Sequence, residues 1–190
     1  TSGTTGKPKG IVHTHGGYSV GVYSTFKYVF DISDEDRYWC AADPGWITGT
    51  SYGVIGALTN GVTSIVYEDE FDTESWYQVL ERERVTVWYT APTAIRMLMK
   101  AGTELARARK YPALRHLVSV GEPLNPEAVV WGVEAFGLPF HDTWWQTETG
   151  GIMISNLAGV TPSKATFATL PLPGVEPLLV DENGKEIEGN

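Results

Sequence analysis

The first ten residues, TSGTTGKPKG, combine glycines, hydroxyl side chains and lysines in a spacing suited to holding phosphate groups. Glycine lets the backbone approach a ligand closely, while Ser, Thr and Lys add hydrogen-bond donors and positive charge. The segment is not a Walker A loop, because Pro8 stands where Ser or Thr follows the Gly-Lys pair. Thr1 also occupies the first Gly position of both the Walker and GxGxxG patterns. A flexible linker is the alternative, but this alternation in an otherwise acidic chain favours a phosphate-binding loop.

Length and composition bound the kind of protein. The 190 residues suit one domain, or one domain and a fragment, and 42% hydrophobic residues predict a chain that folds around its own core. Lys plus Arg number 14 against 23 Asp plus Glu, and the net charge of −9 argues against nucleic acid and anionic membranes as partners. Cys40 is the only cysteine, which excludes an intrachain disulfide and favours a reducing, cytoplasmic compartment. No secretory signal or apolar run of about 18 residues is present.

Apolar patterns and caps predict alternating strands and helices, the elements that must position any site. We expect strands at 37–42, 62–67, 85–90, 114–120 and 139–145. We expect helices at 14–30, 50–60, 72–84, from Pro92 onwards, and from a capped start at Asn125-Pro126 to Gly137. Asn183-Gly184 predicts a hairpin turn. The fold class is therefore α/β, a mostly parallel sheet flanked by helices.

Four polar, Gly- or Pro-containing loops come directly after predicted strands: ADPGWITG, APTAIR, GEPLNP and QTETGG. Each one alone reads best as a βα turn. Because the carboxyl ends of parallel strands share one sheet edge, where open α/β sheets bind ligands, the four together predict one crevice.

Other groups carry weaker signals. His13 and His15 alternate, but no nearby third ligand supports a metal site. We expect His141 to make a structural hydrogen bond. Two acidic runs, 34–36 and 68–70, match no calcium loop and are expected to be solvated.

Five segments resemble, in order and at similar spacing, those of the AMP-forming adenylating enzymes, the superfamily of acyl-CoA synthetases. These are TSGTTGKPKG, ADPGWITGTSYG, WYTAPTAIR, SVGEPLNPE and HDTWWQTETG. The double tryptophan of the last segment is typical of acetyl-CoA synthetases. The resemblance covers nearly the whole chain. It implies residues 1–156 as the α/β portion of the adenylate-forming domain and 157–190 as an incomplete β-rich subdomain. The C-terminal domain with the catalytic lysine is expected outside this chain.

The resemblance also implies site residues. The ATP phosphates would be held by Thr1, Ser2, Gly3, Thr4, Thr5, Gly6 and Lys7. The adenine and AMP site would be lined by Gly121, Glu122, Pro123, Asp142, Thr143, Trp144 and Gln146. Thr147 would contact the α-phosphate, and Glu148 would bind magnesium, which prefers carboxylates together with substrate phosphates. Lys7, Thr147 and Glu148 are the residues expected to act in catalysis.

The same resemblance implies a pocket for the carboxylate substrate, formed by Ile47, Thr48, Val120 and Trp145. An indole at its floor leaves room for about two carbons, although rejecting one added methylene is worth only roughly 10–200-fold. If Trp144 and Trp145 are extended, they face opposite sides, so one can approach the nucleotide while the other shapes the pocket.

The implied reaction is the ATP-dependent activation of acetate to acetyl-AMP with release of pyrophosphate, followed by transfer to coenzyme A. Its cofactors and co-substrates are ATP/AMP, magnesium and coenzyme A. Two alternatives stay open: a ligase for propionate or another short acid, and a nucleotide-binding fragment without catalysis. We expect this segment on its own to be inactive or nearly so, because the lysine and part of the coenzyme A site lie outside it.

Overall fold

The computed structural model describes residues 6–161 and 164–187, and within these ranges six strands form one sheet of order β2-β1-β3-β4-β5-β6. Neighbouring strands pair in parallel except for β6, which is antiparallel to β5. The strands are β1 Arg37–Cys40, β2 Thr63–Ile65, β3 Val87–Thr90, β4 His116–Ser119, β5 Phe140–Trp144 and β6 Ile154–Ser155. The mostly parallel sheet predicted from the sequence is confirmed.

Helices cover both faces of this sheet. They are α1 His15–Val29, a π-helix Gly49–Ile55, α2 Gly56–Asn60, α3 Thr73–Arg82, α4 Pro92–Ala101, α5 Thr103–Arg107 and α6 Pro126–Phe136. Successive side chains of a strand point to opposite faces of the sheet. Trp88 therefore packs in the core on one face, against α3 to α6, and Tyr89 packs in the core on the other face, against α1, the π-helix and α2.

Helix ends match the sequence signals in most places. Asp72 accepts a hydrogen bond from the Ser75 amide and caps α3, and Gly61 and Gly137 end α2 and α6 in the left-handed conformation. Asn125 occupies the N-cap position of α6, but its side chain donates to Glu127 instead of capping the backbone.

The segment predicted as one helix over 50–60 differs from that expectation, because its first half is the π-helix. The chain is also tightly packed there, since Gly49 lies against the Asp43–Pro44 backbone. A π-helix of this kind often marks a functional site. The helix α5 was not predicted.

The prediction that residues 34–36 are solvated is wrong for Asp36. This residue is 4% exposed and pairs with Arg115 on the approach to β4, at 2.6 Å. Burial alone would raise the Asp36 pKa, but hydrogen bonds from Arg115, Thr86 and Ser33 together lower it to about 2. The partner lies 79 positions away in sequence, so no local pattern could reveal the pair.

We expect Asp36→Asn to be less stable at neutral pH by on the order of 2 kcal/mol and to lose stability less steeply in acid. Because the folded pKa lies below the ordinary value, the native carboxylate stabilises the fold above about pH 4. That contribution disappears as the pH falls towards 2. Urea unfolding between pH 7 and pH 3 measures both effects. Asp34→Asn, at an exposed position two residues earlier, is the control, and equal pH slopes for Asp36→Asn and the native chain would contradict the assignment.

Beyond β5 the chain forms β6, an antiparallel bridge between Ile154 and Pro171, and another between Val180 and Glu186. The second bridge closes the predicted turn, with Gly184 in the left-handed region. The division at residue 156 stays a prediction. In the described part of the chain, no helix is both long and apolar enough to cross a membrane.

Candidate functional site

The four polar loops emerge from β1, β3, β4 and β5, which are consecutive and parallel in the sheet. They therefore share one edge, as predicted. Strand order reverses between β1 and β3, because the chain goes out to β2 and returns on the other side of β1. Such a reversal opens a crevice at the carboxyl ends of the strands.

A cavity of about 400 Å³ lies at this reversal, and we call it the switch-point cavity. Thr48 and Val120, two of the four residues predicted for the carboxylate pocket, line it, whereas Ile47 and Trp145 do not. The full lining is Ala41, Ala42, Asp43, Trp46, Thr48, Trp76, Thr90, Ala91, Ala94, Val120 and Gly121.

A second cavity of about 330 Å³ lies between the loops after β4 and β5, and we call it the β4–β5 cavity. It brings together every residue predicted for the adenine and AMP site, and Trp145 as well. Its lining is Gly121, Glu122, Pro123, Asp142, Thr143, Trp144, Trp145, Gln146, Thr166 and Ala168. Gly121 belongs to both cavities, so the two are neighbours along one edge.

Asp142 gives the β4–β5 cavity a half-buried carboxyl group. Burial raises its pKa to about 6, against hydrogen bonds from the amides of Leu124 at 3.3 Å and Thr143 at 3.1 Å. At neutral pH the group is mainly ionised and can accept a hydrogen bond from a ligand amine.

Glu122 anchors the loop after β4 to helix α4. It accepts hydrogen bonds from Arg96 at 2.5 Å and Thr93 at 2.9 Å, and the Arg96 hydrogen bond is the main reason that the pKa of Glu122 is lowered. Because this ion pair is exposed, we assign it to loop orientation and not to stability.

The two adjacent tryptophans face opposite ways, as extended geometry requires. Trp144 is 48% exposed. Trp145 is half-buried, packs edge-on against Tyr52 with ring centroids 5.2 Å apart, and donates from Nε1 to the Tyr89 hydroxyl at 3.2 Å. One indole is thus free for a ligand, while the other is held in the core.

Thr147 and Glu148 lie exposed at the tip of a turn formed by residues 146–150. The Thr149 hydroxyl and the amides of Thr149 and Gly150 close this turn onto Gln146. Gly150 has φ +72°, a left-handed conformation that favours glycine. The turn presents its two outer side chains while its own backbone is fixed.

Hydroxyl groups attach this turn to the start of α1. Ser51, on the π-helix, donates to the Gly150 carbonyl at 3.1 Å, and Tyr18 hydrogen-bonds to Ser51. Tyr52 accepts from the Ile152 amide at 2.6 Å. We call Tyr18, Ser51 and Tyr52 the hydroxyl clamp. Sequence reasoning missed all three, and the only available signal was polar groups in otherwise apolar helical stretches.

The hydroxyl clamp places the residues that follow the motif TSGTTGKPKG next to the turn. His13, three residues after that motif, shares a small cavity of about 110 Å³ with Thr149 and Gly150. Gly6 and Lys7 are exposed. Thr1, Ser2, Gly3, Thr4 and Thr5 lie outside the described residues.

The donor set can be tested against magnesium. Glu148 is exposed, and no other described residue forms a hydrogen bond or ion pair with it. Within residues 6–161 and 164–187, no group of three or more His, Cys, Asp and Glu side chains could hold a metal ion. A single free carboxylate fits magnesium that arrives with substrate phosphates, and it does not fit a metal held by protein ligands alone.

Two expectations for isolated residues can be compared with the structure. His141 forms a hydrogen bond with the Asn156 amide at 2.6 Å, a structural role as expected. Thr143 is only 5% exposed, and its hydroxyl donates to the Ser119 carbonyl at 2.8 Å. Its side chain therefore faces the sheet, although the residue borders the cavity.

The protein has an open, mostly parallel sheet with helices on both faces, and two adjacent cavities lie at the carboxyl edge of that sheet. These features place it in the class of ligand-binding open α/β proteins. Comparison with known proteins identifies the family within this class. The family model described as "AMP-binding enzyme" matches residues 1–190, and the chain belongs to that family.

Named relatives are close in sequence. The chain is 55% identical over 193 residues to the acetyl-coenzyme A synthetase of Gemmatimonas aurantiaca, covering 98% of this chain and 30% of that protein. It is 48% identical to the acetyl-coenzyme A synthetase of Bacillus subtilis, covering 98% of this chain and 32% of that protein. The crystal structure of the Brucella canis acyl-CoA synthetase matches with a TM-score of 0.85 and 36% identity, over 91% of this chain and 32% of that one. The chain thus spans about a third of the length of these relatives. The resemblance seen in the sequence motifs is confirmed.

Proposed function

We propose that the protein carrying this chain is an AMP-forming acetate–CoA ligase. In the first step, an acetate oxygen attacks the α-phosphorus of ATP, a P–O bond to pyrophosphate breaks, and acetyl-AMP forms. In the second step, the coenzyme A thiolate attacks the acetyl carbonyl carbon and AMP leaves, giving acetyl-CoA. About 50% identity to proteins named acetyl-coenzyme A synthetase supports this assignment.

The observation that carries the proposal is the contact between the two cavities at Gly121. AMP occupies the β4–β5 cavity, where Asp142 supplies an acceptor for the adenine amino group. The short acid lies towards Val120 and Trp145. The α-phosphate and the acid therefore meet at the loop after β4, and such proximity is the main contribution an enzyme makes to a reaction whose nucleophile needs no base.

The exposed turn and the N-terminal loop hold the rest of the triphosphate. Lys7 and the hydroxyls of residues 1–5 offset the charge that develops on pyrophosphate, and Thr147 contacts the α-phosphate. Glu148 holds magnesium, which when bound would neutralise phosphate charge. The acidic net charge of −9 supports a partner list without nucleic acid, and the single cysteine supports a cytoplasmic location.

The test is ATP–pyrophosphate exchange with acetate, propionate and butyrate, using the protein that carries this chain. We expect acetate to be preferred, and Trp145→Gly to shift the preference towards longer acids by roughly 10–200-fold per methylene, because the indole no longer closes the pocket. Preference for propionate in the native protein would support the first alternative. Binding of ATP without any exchange would support the non-catalytic one.

Trp144→Ala is the matched control in the same loop. Because Trp144 faces the nucleotide side, its removal should raise the KM for ATP and leave the order of acid preference unchanged. If Trp145→Gly leaves that order unchanged as well, the assignment of the acyl pocket is wrong.

A further inference from the structure

Trp145 is held by a chain of hydrogen bonds that crosses three strands. Its Nε1 lies 3.2 Å from the Tyr89 hydroxyl, which lies 3.0 Å from the Thr143 hydroxyl, which in turn lies 2.8 Å from the Ser119 carbonyl. Tyr89 lies in β3, Ser119 is the last residue of β4 and Thr143 belongs to β5.

The direction of every bond in this chain is determined by chemistry. An indole N–H can only donate and a backbone carbonyl can only accept. Trp145 therefore donates to Tyr89, Tyr89 donates to Thr143, and Thr143 donates to Ser119. Each hydroxyl donates one hydrogen bond and accepts one, so the donor-to-acceptor direction is the same along the whole hydrogen-bond chain.

Burial makes this arrangement demanding. Tyr89 and Ser119 have no exposed surface and Thr143 is 5% exposed, so water cannot replace a missing partner. Burial also raises the pKa of Tyr89 well above its ordinary value, which keeps its hydroxyl protonated and able to donate. A buried group that loses its partner keeps its full desolvation cost.

The hydrogen-bond chain ends beside the proposed acyl pocket. Ser119 immediately precedes Val120, which lines the switch-point cavity, and Trp145 lies across the same edge. The Tyr52 ring restrains the other side of the indole, at 82° to it. The indole is therefore fixed relative to the backbone that carries Val120.

We propose that Tyr89 and Thr143 are positioning residues that set the acid length the enzyme accepts, by fixing the Trp145 indole through this hydrogen-bond chain. The inference rests on the proposed function and deepens it. It also changes the expected role of Thr143, whose hydroxyl serves the indole and not the nucleotide.

The test uses the protein that carries this chain and measures kcat and KM for acetate, propionate and ATP. We expect Tyr89→Phe to raise the propionate-to-acetate ratio of kcat/KM about fivefold, the equivalent of one hydrogen bond. The KM for acetate rises and the KM for ATP does not change, because only the acid pocket loosens. Thr143→Val removes the second hydroxyl at nearly equal volume and should behave alike, whereas Thr143→Ser keeps the hydroxyl and should restore native selectivity.

Tyr77→Phe is the matched control. Tyr77 is equally buried, on α3 against the opposite face of the sheet, and its hydroxyl has no hydrogen-bond partner among the described residues. Its loss should leave the ratio unchanged. Thermal unfolding reports whether each variant folds, and if Tyr89→Phe does not, the Thr143→Val and Thr143→Ser pair decides.

The outcomes separate the two levels of the proposal. An unchanged acid ratio in both Tyr89→Phe and Thr143→Val overturns the positioning role alone. A higher KM for ATP in Thr143→Val, with unchanged acid preference, also overturns it and assigns Thr143 to the nucleotide. A native protein that exchanges pyrophosphate with no short acid overturns the proposed function and this inference with it.

Discussion

Glu148→Gln is expected to lower the rate of acetate-dependent ATP–pyrophosphate exchange by roughly 10²–10³-fold, the loss typical of removing one group that stabilises transition-state charge. Glutamine keeps the size of the side chain and removes the negative charge that magnesium requires. Since Glu148 has no partner among the described residues, the change should not disturb the fold. Lys7→Ala should lower the exchange rate by a similar factor, because the negative charge on the leaving pyrophosphate is then less well compensated.

Calorimetric titration with ATP and magnesium separates binding from chemistry in these variants. Weaker ATP affinity in both variants is the expected result. Equal affinity in the native protein, Lys7→Ala and Glu148→Gln would contradict the nucleotide site as proposed. Glu35→Gln, an exposed carboxylate before the amino end of β1, is the matched control and should leave exchange and affinity unchanged.

The hydroxyl clamp holds the backbone of the turn that carries the exposed Glu148 side chain. Tyr18, in the first turn of α1, forms a hydrogen bond with Ser51, and Ser51 donates a hydrogen bond to the Gly150 carbonyl in the turn. The π-helix therefore joins α1, which follows the N-terminal loop in sequence, to the turn. A turn that is already fixed loses less entropy when a ligand binds to it.

Much of the site was predictable because it depends on strand direction alone. Loops that follow parallel strands must meet at one edge, so ADPGWITG, APTAIR, GEPLNP and QTETGG could be placed together from the sequence. The opposite facing of Trp144 and Trp145 followed from the two-residue period of a strand. Neither inference required knowledge of side-chain packing.

What the sequence did not reveal depends on partners that are distant in the chain. The π-helix depends on how its first turn meets the loop after β1. The burial of Asp36 depends on Arg115, and the hydrogen bond between Tyr89 and Thr143 depends on the register that aligns β3, β4 and β5. Such pairings are set by tertiary packing and leave no local periodic pattern.

Gly49→Ala is expected to destabilise the protein by about 3 kcal/mol or more, because position 49 has no room for a methyl group. Gly49 is buried, and a Cβ there would lie 2.6 Å from the Pro44 nitrogen and closer still to the Asp43 carbonyl. These are backbone atoms, which cannot rotate away as a side chain can.

The same loop is tied to the π-helix by two further bonds, which prevent it from shifting to accommodate the methyl group. The Thr50 hydroxyl donates to the Pro44 carbonyl at 2.6 Å, and the Thr50 amide donates to the Trp46 carbonyl at 3.0 Å. Any shift of this loop displaces Thr48, which lines the switch-point cavity. We therefore expect the KM for acetate to rise together with the loss of stability.

Gly53→Ala, one turn further along the π-helix, provides the control. A Cβ at that position would meet the Cys40 side chain at 3.6 Å, an ordinary contact. The change should be neutral or stabilise by about 0.4–1 kcal/mol, because alanine restricts the unfolded chain. Urea unfolding of the two variants compares the same substitution on the same helix. If Gly49→Ala is no less stable than Gly53→Ala, the loop after β1 does not pack closely against the π-helix. The inference that this packing holds Thr48 at the proposed acyl pocket then fails as well.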